Sequence, residues 1–234
     1  MLTDAQLQQI MPRLAAAKRQ LYLPHLNRAL QTCGVDTMPR TAAFIAQLAH
    51  ESGEFRWMEE IWGPTDPQRR YEPPGTLAAR LGNTQPGDGK RFKGRGPIQI
   101  TGRFNYVKYG ALLGVDLVAK PELAAAPEVA FATAGLYWQA NGLNELADAG
   151  DFIKITRRIN GGTNGLADRQ EYHALALGVL AAGFVANPAV RGAAKRKTSP
   201  ATEPLLRGHE LIRRIRAAPA AADEPATKTT GRTR

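Results

Sequence analysis

The sequence predicts a mainly α-helical domain with one small β element beside a cleft built from loops. Three observations lead there. Apolar residues recur at helical spacing through most of the first 185 positions; Pro and Gly crowd the stretch from Trp62 to Gly102; and within that stretch only RFKGRGPIQIT alternates as a strand or hairpin does.

Taken in order, TDAQLQQIMPRL offers Thr3 or Asp4 as a cap ahead of apolar residues three and four apart. TAAFIAQLAH repeats the pattern after Met-Pro-Arg, with Thr41 expected as its cap. Further helical patterns fall at about 75–82, 103–113, 127–142, 151–159 and 167–183. No internal repeat is visible. A helical body with a loop-rich insertion is a common setting for a binding or catalytic cleft.

A chain of 234 residues can bury one good core, or form a domain of about 185 residues with an appendage. With 43% hydrophobic and 22% charged residues it has a globular composition, and no apolar run approaches the roughly 18 residues of a membrane span. The opening MLTDAQLQQIMPRL lacks the basic start and apolar stretch of a secretory signal, so synthesis in a cytoplasm is expected. Cys33, the single cysteine, excludes an internal disulfide. The net charge of +10 is uneven: residues 187–234 hold 11 Lys/Arg against 4 Asp/Glu, leaving +3 for the rest. The expected organisation is therefore a domain over 1–186 and a basic, flexible tail over 187–234. Within the tail, LLRGHELIRRIRAA (205–218) is either a solvated helix or linker, or a segment that becomes helical on an anionic surface.

The stretch FIAQLAHESGEF (44–55) carries the first chemical signal. On a helix starting near Thr41, Phe44, Leu48 and Glu51 share one side, so Glu51 lies beside two core positions. A carboxyl group at an apolar boundary and at a helix C-terminus tends to keep its proton, as a general acid must. The alternative is an ordinary solvated helix-end glutamate. Glycosidic chemistry needs a second acid, and RWMEEIW places Glu59 and Glu60 among Trp57, Met58, Ile61 and Trp62. Sugar rings stack on such aromatics, although a Trp-anchored core turn has the same composition.

Other chemistries fit poorly. His50-Glu51 is not followed by the second histidine of a zinc-protease helix, since position 54 is Glu, and His25, His173 and His209 have no ligand spacing. GKRFKGRGP lacks the Gly-Lys-Ser/Thr of a phosphate loop, no dinucleotide fingerprint is present, and Ser52 has no nucleophile-elbow context. No metal, organic cofactor or nucleotide is expected.

Four ordered blocks, AQLAHESGEF, Glu60, RFKGRGPIQITGRFNY and RRINGGTNGLADRQEY, together resemble the family 19 glycoside hydrolases, the chitinase class I fold also used by phage endolysins. The likeness covers roughly residues 40–180, and GRGPIQITGRFNY (94–106) is its most specific part. Short spacing between the blocks resembles the phage-type branch. The resemblance implies a lysozyme-like, two-lobed helical fold with a small β-hairpin beside the cleft, and an inverting mechanism. It implies Glu51 as general acid within His50-Glu51-Ser52, and Glu60, nine residues on, as base, with Glu59 as the adjacent alternative. It further implies that Thr101 holds the attacking water, that Gln99 and Asn105 contact substrate, and that Asn160 binds sugar or orients the base. Arg169 would pair with the catalytic acids, and Tyr106 would either line the site or support the hairpin from within. Arg95 and Gly96 would shape the loop. The continuation EEIWGPTDPQRRYEP departs from the Asn- and Tyr-containing loop of phage-type relatives, which bears on Glu60 more than on Glu51.

The reading is an endolysin-type, muramidase-like hydrolase of peptidoglycan, working as a monomer and reaching the cell wall after holin-type release, with its tail on anionic envelope polymers. Two rivals stand beside it: a chitinase, because both polymers contain N-acetylglucosamine, and a cationic non-catalytic protein of the envelope or of nucleic acid. The last explains the pI of about 10.0 but leaves the His-Glu and Gly-Arg-Gly blocks without a purpose.

Overall fold

The structure, a computed structural model, describes residues 1–185; the predicted tail over 187–234 and its segment 205–218 lie outside the described residues. Eleven α-helices run in order: α1 Asp4–Ile10, α2 Ala16–Thr32, α3 Met38–Ser52, α4 Asp66–Arg69, α5 Thr76–Arg80, α6 Asp88–Arg91, α7 Arg103–Leu113, α8 Pro127–Ala140, α9 Leu143–Asp148, α10 Phe152–Asn160 and α11 Leu166–Val185, with a 3-10 turn at Pro121–Ala125. None of the described helices is long and apolar enough to cross a membrane.

Thr3 caps α1 through a reciprocal pair: its hydroxyl accepts from Gln6 N (3.2 Å) and its own N–H donates to Gln6 Oε1 (2.9 Å). The start of α3 differs from expectation. Thr37, not Thr41, is the cap, because Pro39 fits the first turn of a helix, where no N–H is needed. Thr41 is inside the helix, and its hydroxyl donates to Val35 O at 3.0 Å. The sequence reading leaves α2 unassigned, and it contains Pro24; burial of Tyr22, Leu26, Ala29 and Leu30 along one face outweighs the broken hydrogen bond.

The core forms where α3 packs along α11 and α2 along α8. Phe44 of α3 meets Trp138 of α8 edge to face, with ring centroids 5.2 Å apart, and α1 closes the end against α2 and α11. Gly135 lets α8 approach α2 closely, for a Cβ there would stand 2.6 Å from Cys33 Sγ. Burial pushes that thiol up to about 11, so it stays protonated and packs as a small apolar group.

Residues 56–102 are built differently. Their helices are a turn or so long, and several of the buried side chains are polar: Gln68, Asn83, Asp88 and Arg95. The expected hairpin is reduced to two isolated antiparallel bridges, Glu59 with Arg95 and Arg95 with Ile100. Gly94, Gly96 and Pro97 explain why no ladder extends: two residues lack side chains to pack and the third lacks a donor.

Candidate active site

Glu51 sits on the last turn of α3 with its side chain 22% exposed, while Phe44 and Leu48 on the same side are buried. Its partner comes from α11. Arg169 is completely buried; its Nη2 donates to Glu51 Oε1 at 2.5 Å, its Nη1 to Gln47 Oε1 at 2.5 Å, and its Nε to Asn164 O at 3.2 Å. Gln47 in turn donates to the Thr156 hydroxyl at 2.8 Å. A buried guanidinium requires such satisfaction on every side, and the result is a rigid chain from α10 through α3 to α11 that fixes one carboxylate oxygen. Oε2 of Glu51 has no protein partner among the described residues. Tyr137 of α8 lies close by, its hydroxyl pushed up by burial and by the Glu51 charge. Beside it, His50 Nδ1 and Asp168 Oδ2 are 2.5 Å apart, and Gly165 packs against the imidazole so tightly that a Cβ would overlap it.

Glu60 is held by another set of groups. Its Oε1 accepts from Gln68 Nε2 at 3.0 Å and lies 3.5 Å from the Tyr71 hydroxyl; its Oε2 accepts from Gly94 N at 2.9 Å. The Glu60 backbone N–H also donates to Gly94 O at 2.8 Å, so residue 60 is tied to Gly94 through both its backbone and its carboxylate. Gln68 is buried and also donates to Ile61 O, while its own Oε1 accepts from Gly63 N and Thr65 N. All of these donors to Glu60 are neutral. Glu59, by contrast, is paired with Arg95 at 2.9 Å and Lys93 at 3.2 Å, which separates the two neighbouring acids by environment.

Between the acids the chain makes a left-handed turn. Gly53, Glu54 and Phe55 have φ of 56°, 60° and 59°. Left-handed backbone at non-glycine residues costs about 1–3 kcal/mol each, so the surroundings must enforce it. Glu54 is buried and its carboxylate accepts from Arg13 N (2.7 Å), Arg13 Nε (2.8 Å) and the Tyr172 hydroxyl (2.7 Å). Phe55 is buried edge-on against Phe131 and Tyr22. Trp57 follows with its side chain in the open, its residue 44% exposed, and its backbone bonded to Ser52 O and to the Gln99 side chain.

The remaining expected residues divide. Gln99, at φ 53°, donates to Trp57 O and Gly96 O; Thr101 donates to Gln99 O at 2.9 Å; Asn105 donates to Thr101 O at 2.7 Å; all three are partly exposed. Gly94 brings Glu60 into this group, because a Cβ there would stand 2.6 Å from Gln99 Oε1 and 3.3 Å from Thr101 Oγ1. Asn160 ends α10 in an exposed position, its amide without a protein partner among the described residues. Tyr106 requires correction as a substrate contact. It is fully buried, its hydroxyl donating to Lys93 O at 2.6 Å and accepting from Arg95 Nη1 at 2.7 Å, with burial pushing it up to about 12. It supports the Arg95 loop from within, and no solute reaches it. Arg169 also differs in detail: it pairs with Glu51, and its hydrogen bonds include none to Glu60. Gln68, Gly94, Gln47 and Glu54 are the residues sequence reasoning missed. Gly94, Gln47 and Glu54 stand inside the blocks that carry the resemblance, whereas Gln68 carried no signal there.

A sequence profile described as chitinase class I matches residues 28–163. A Haemophilus influenzae protein described as a glycosyl hydrolase family 19 domain-containing protein is 34% identical over 168 residues, which is 62% of this chain and 82% of that protein. An Arabidopsis thaliana endochitinase is 43% identical over 122 residues, but the chain spans 39% of its length. Among solved structures, chitinase C from Streptomyces griseus superposes with a TM-score of 0.61 at 25% identity over 76% of both chains. A class IV chitinase from Zea mays, at 24% identity and a TM-score of 0.58, covers 76% of this chain and 92% of its own and shares the fold.

Proposed function

Because the chain belongs to the family 19 glycoside hydrolases, a glycosidase family, we propose that it cleaves the β-1,4 bonds of peptidoglycan glycan strands by single-displacement acid/base catalysis. One observation carries the assignment of roles. Two partly exposed carboxylates at the ends of a ten-residue stretch are each immobilised through different partners, a buried guanidinium for Glu51 and neutral donors for Glu60, with open Trp57 between them.

In this reading Glu51 presents Oε2 to the glycosidic oxygen and passes its proton to the departing sugar. Glu60 takes a proton from a water that attacks the anomeric carbon from the opposite face, and the product anomer is inverted. The Thr101 hydroxyl spends its proton on Gln99 O and therefore offers a lone pair to that water. The exposed Asn160 amide and the Gln99 and Asn105 side chains contact the sugar. Arg169 positions Glu51. The chemistry so described draws only on side chains of the chain.

A second reading is hydrolysis of chitin, favoured by the chitinase names of the plant and Streptomyces relatives. Incubation with purified sacculi and with chitin oligomers, followed by mass spectrometry and by NMR of the new anomeric centre, decides between them. Release of muropeptides with inverted reducing ends is expected. Turnover of chitin oligomers alone would transfer the assignment to chitinase, and retention of configuration would remove Glu60 as base.

A further inference from the structure

A concavity of about 360 Å³ opens beside the left-handed turn, lined among others by Arg13, Lys18, Gly53, Glu54, Arg56 and Trp57. It begins two residues from Glu51, yet none of the candidate catalytic residues lines it. Its charge is one-sided. Lys18 and Arg56 are exposed, the Arg13 side chain is 73% exposed, and the single carboxylate of the lining, Glu54, is buried with both oxygens already accepting hydrogen bonds. The Arg13–Glu54 contact is the only ion pair within the lining among the described residues. Arg56 stacks over Trp57 with its guanidinium carbon 4.6 Å from the ring centroid, giving a flat, half-open platform beside the charge. Outside the C-terminal tail the net charge is only +3, so three cations around one depression are a local feature and not a general background.

We propose that this concavity is an anion subsite that takes a carboxylate-bearing peptide substituent of the glycan strand, and so distinguishes peptide-substituted wall glycan from an uncharged amino-sugar polymer; the inference rests on the peptidoglycan reading above. The Arg56 guanidinium offers the planar fork that fits a carboxylate, Lys18 adds a point charge, and Trp57 receives the apolar part of a peptide. A neutral acetamido sugar gains nothing from these cations. Discrimination therefore comes from a group lying to one side of the bond that is cut.

The test is an NMR titration of the full-length, isotopically labelled protein with two short probes, an N-acetylglucosaminyl-N-acetylmuramyl disaccharide carrying its tetrapeptide and the same disaccharide with the peptide removed and the lactyl acid amidated. The peptide-bearing probe is expected to shift the Gly53 amide and the Trp57 indole and to bind roughly 5- to 10-fold more tightly at low salt, the advantage fading at high salt. Lys18→Gln with Arg56→Gln is expected to bring its affinity down to that of the neutral probe; Arg13 is left in place because it holds Glu54. Equal binding of both probes by the unaltered protein, or shifts confined to residues near Glu60, would overturn the subsite, and this arm needs no folded variant. Failure of the parent reading shows separately: no release of muropeptides from sacculi, whatever the titration gives.

Discussion

Arg169 is the residue on which the candidate acid depends most directly. It is buried, it donates to Glu51 Oε1, and Gln47 and Asn164 O take up its remaining bonds, so Glu51 cannot swing without stranding a charge in the interior. Glu51→Gln keeps the shape but removes the transferable proton. Wall-glycan turnover is expected to fall by about 10²–10⁴-fold, with the circular dichroism spectrum unchanged. A folded Glu51→Gln protein of normal activity would dismiss the mechanism. Gly94 plays the matching part for Glu60, since its N–H reaches Oε2 and its missing Cβ leaves room for Gln99 and Thr101. Gly94→Ala is expected to reduce kcat by tenfold or more and to raise KM as well, because the added Cβ displaces Glu60 and Thr101, the proposed base and water-holding hydroxyl, and also Gln99, a proposed sugar contact; steady-state kinetics read both effects. The place of Glu51 beside core positions was legible from helical spacing, which left an ordinary solvated glutamate open; the resemblance brought it forward as the candidate acid. Its buried cation was not legible by spacing, for residues 51 and 169 are distant in sequence, and only the resemblance brought Arg169 forward.

At the scale of elements, the molecule combines a helical body held by apolar packing with a loop region held by polar latches. In the body, α3 and α11 bury their apolar faces, and periodicity finds them. In the region 56–102, Asp88 does comparable work without apolar area: it accepts from Thr84 N, Gln85 N and both Nε and Nη2 of Arg103. Burial alone would push its carboxyl up, but the Arg103 guanidinium and the two backbone N–H groups outweigh that and hold it below the ordinary carboxylate value. Its native value being depressed, the stability it contributes is complete above the unfolded-state value of about 4 and is lost as pH falls through the native value. Asp88→Asn is therefore expected to lower Tm at pH 7 and to narrow that gap as the pH is taken below about 4, measured by thermal unfolding at a series of pH values; a gap independent of pH would contradict it. The hairpin forecast for RFKGRGPIQIT failed as a ladder for the same reason that the loop works. Its glycines and proline give up strand pairing, and Gly94 gains a close approach to Glu60 and to Gln99.

For the whole molecule, the distribution of charge adds a further expectation. Residues 187–234 carry +7 of the +10 and lie outside the described residues. Removing them is expected to weaken attachment to whole cells at low salt and to leave turnover of short soluble oligomers unaltered, because screened, long-range attraction serves the approach to an anionic surface and not the bond-breaking step. Sedimentation of protein with cells across a salt series, beside an oligomer assay, checks both halves; equal cell binding by the truncated form would refute the tail's role.

By itself the sequence determined what is written locally. Helical periodicity fixes which faces are apolar, Pro and Gly mark where chain direction changes, and the run from His50 to Glu60 contains both acids within one stretch. Tertiary structure alone decided what surrounds those acids. Glu51 meets Arg169, Glu60 meets Gln68 and Gly94, Glu59 is neutralised by Arg95, and Tyr106 is withdrawn into the interior. The physical reason is that a side chain's position along a helix depends on the nearest few residues, whereas its electrostatic and hydrogen-bonding neighbours depend on which distant segments the buried core brings into contact.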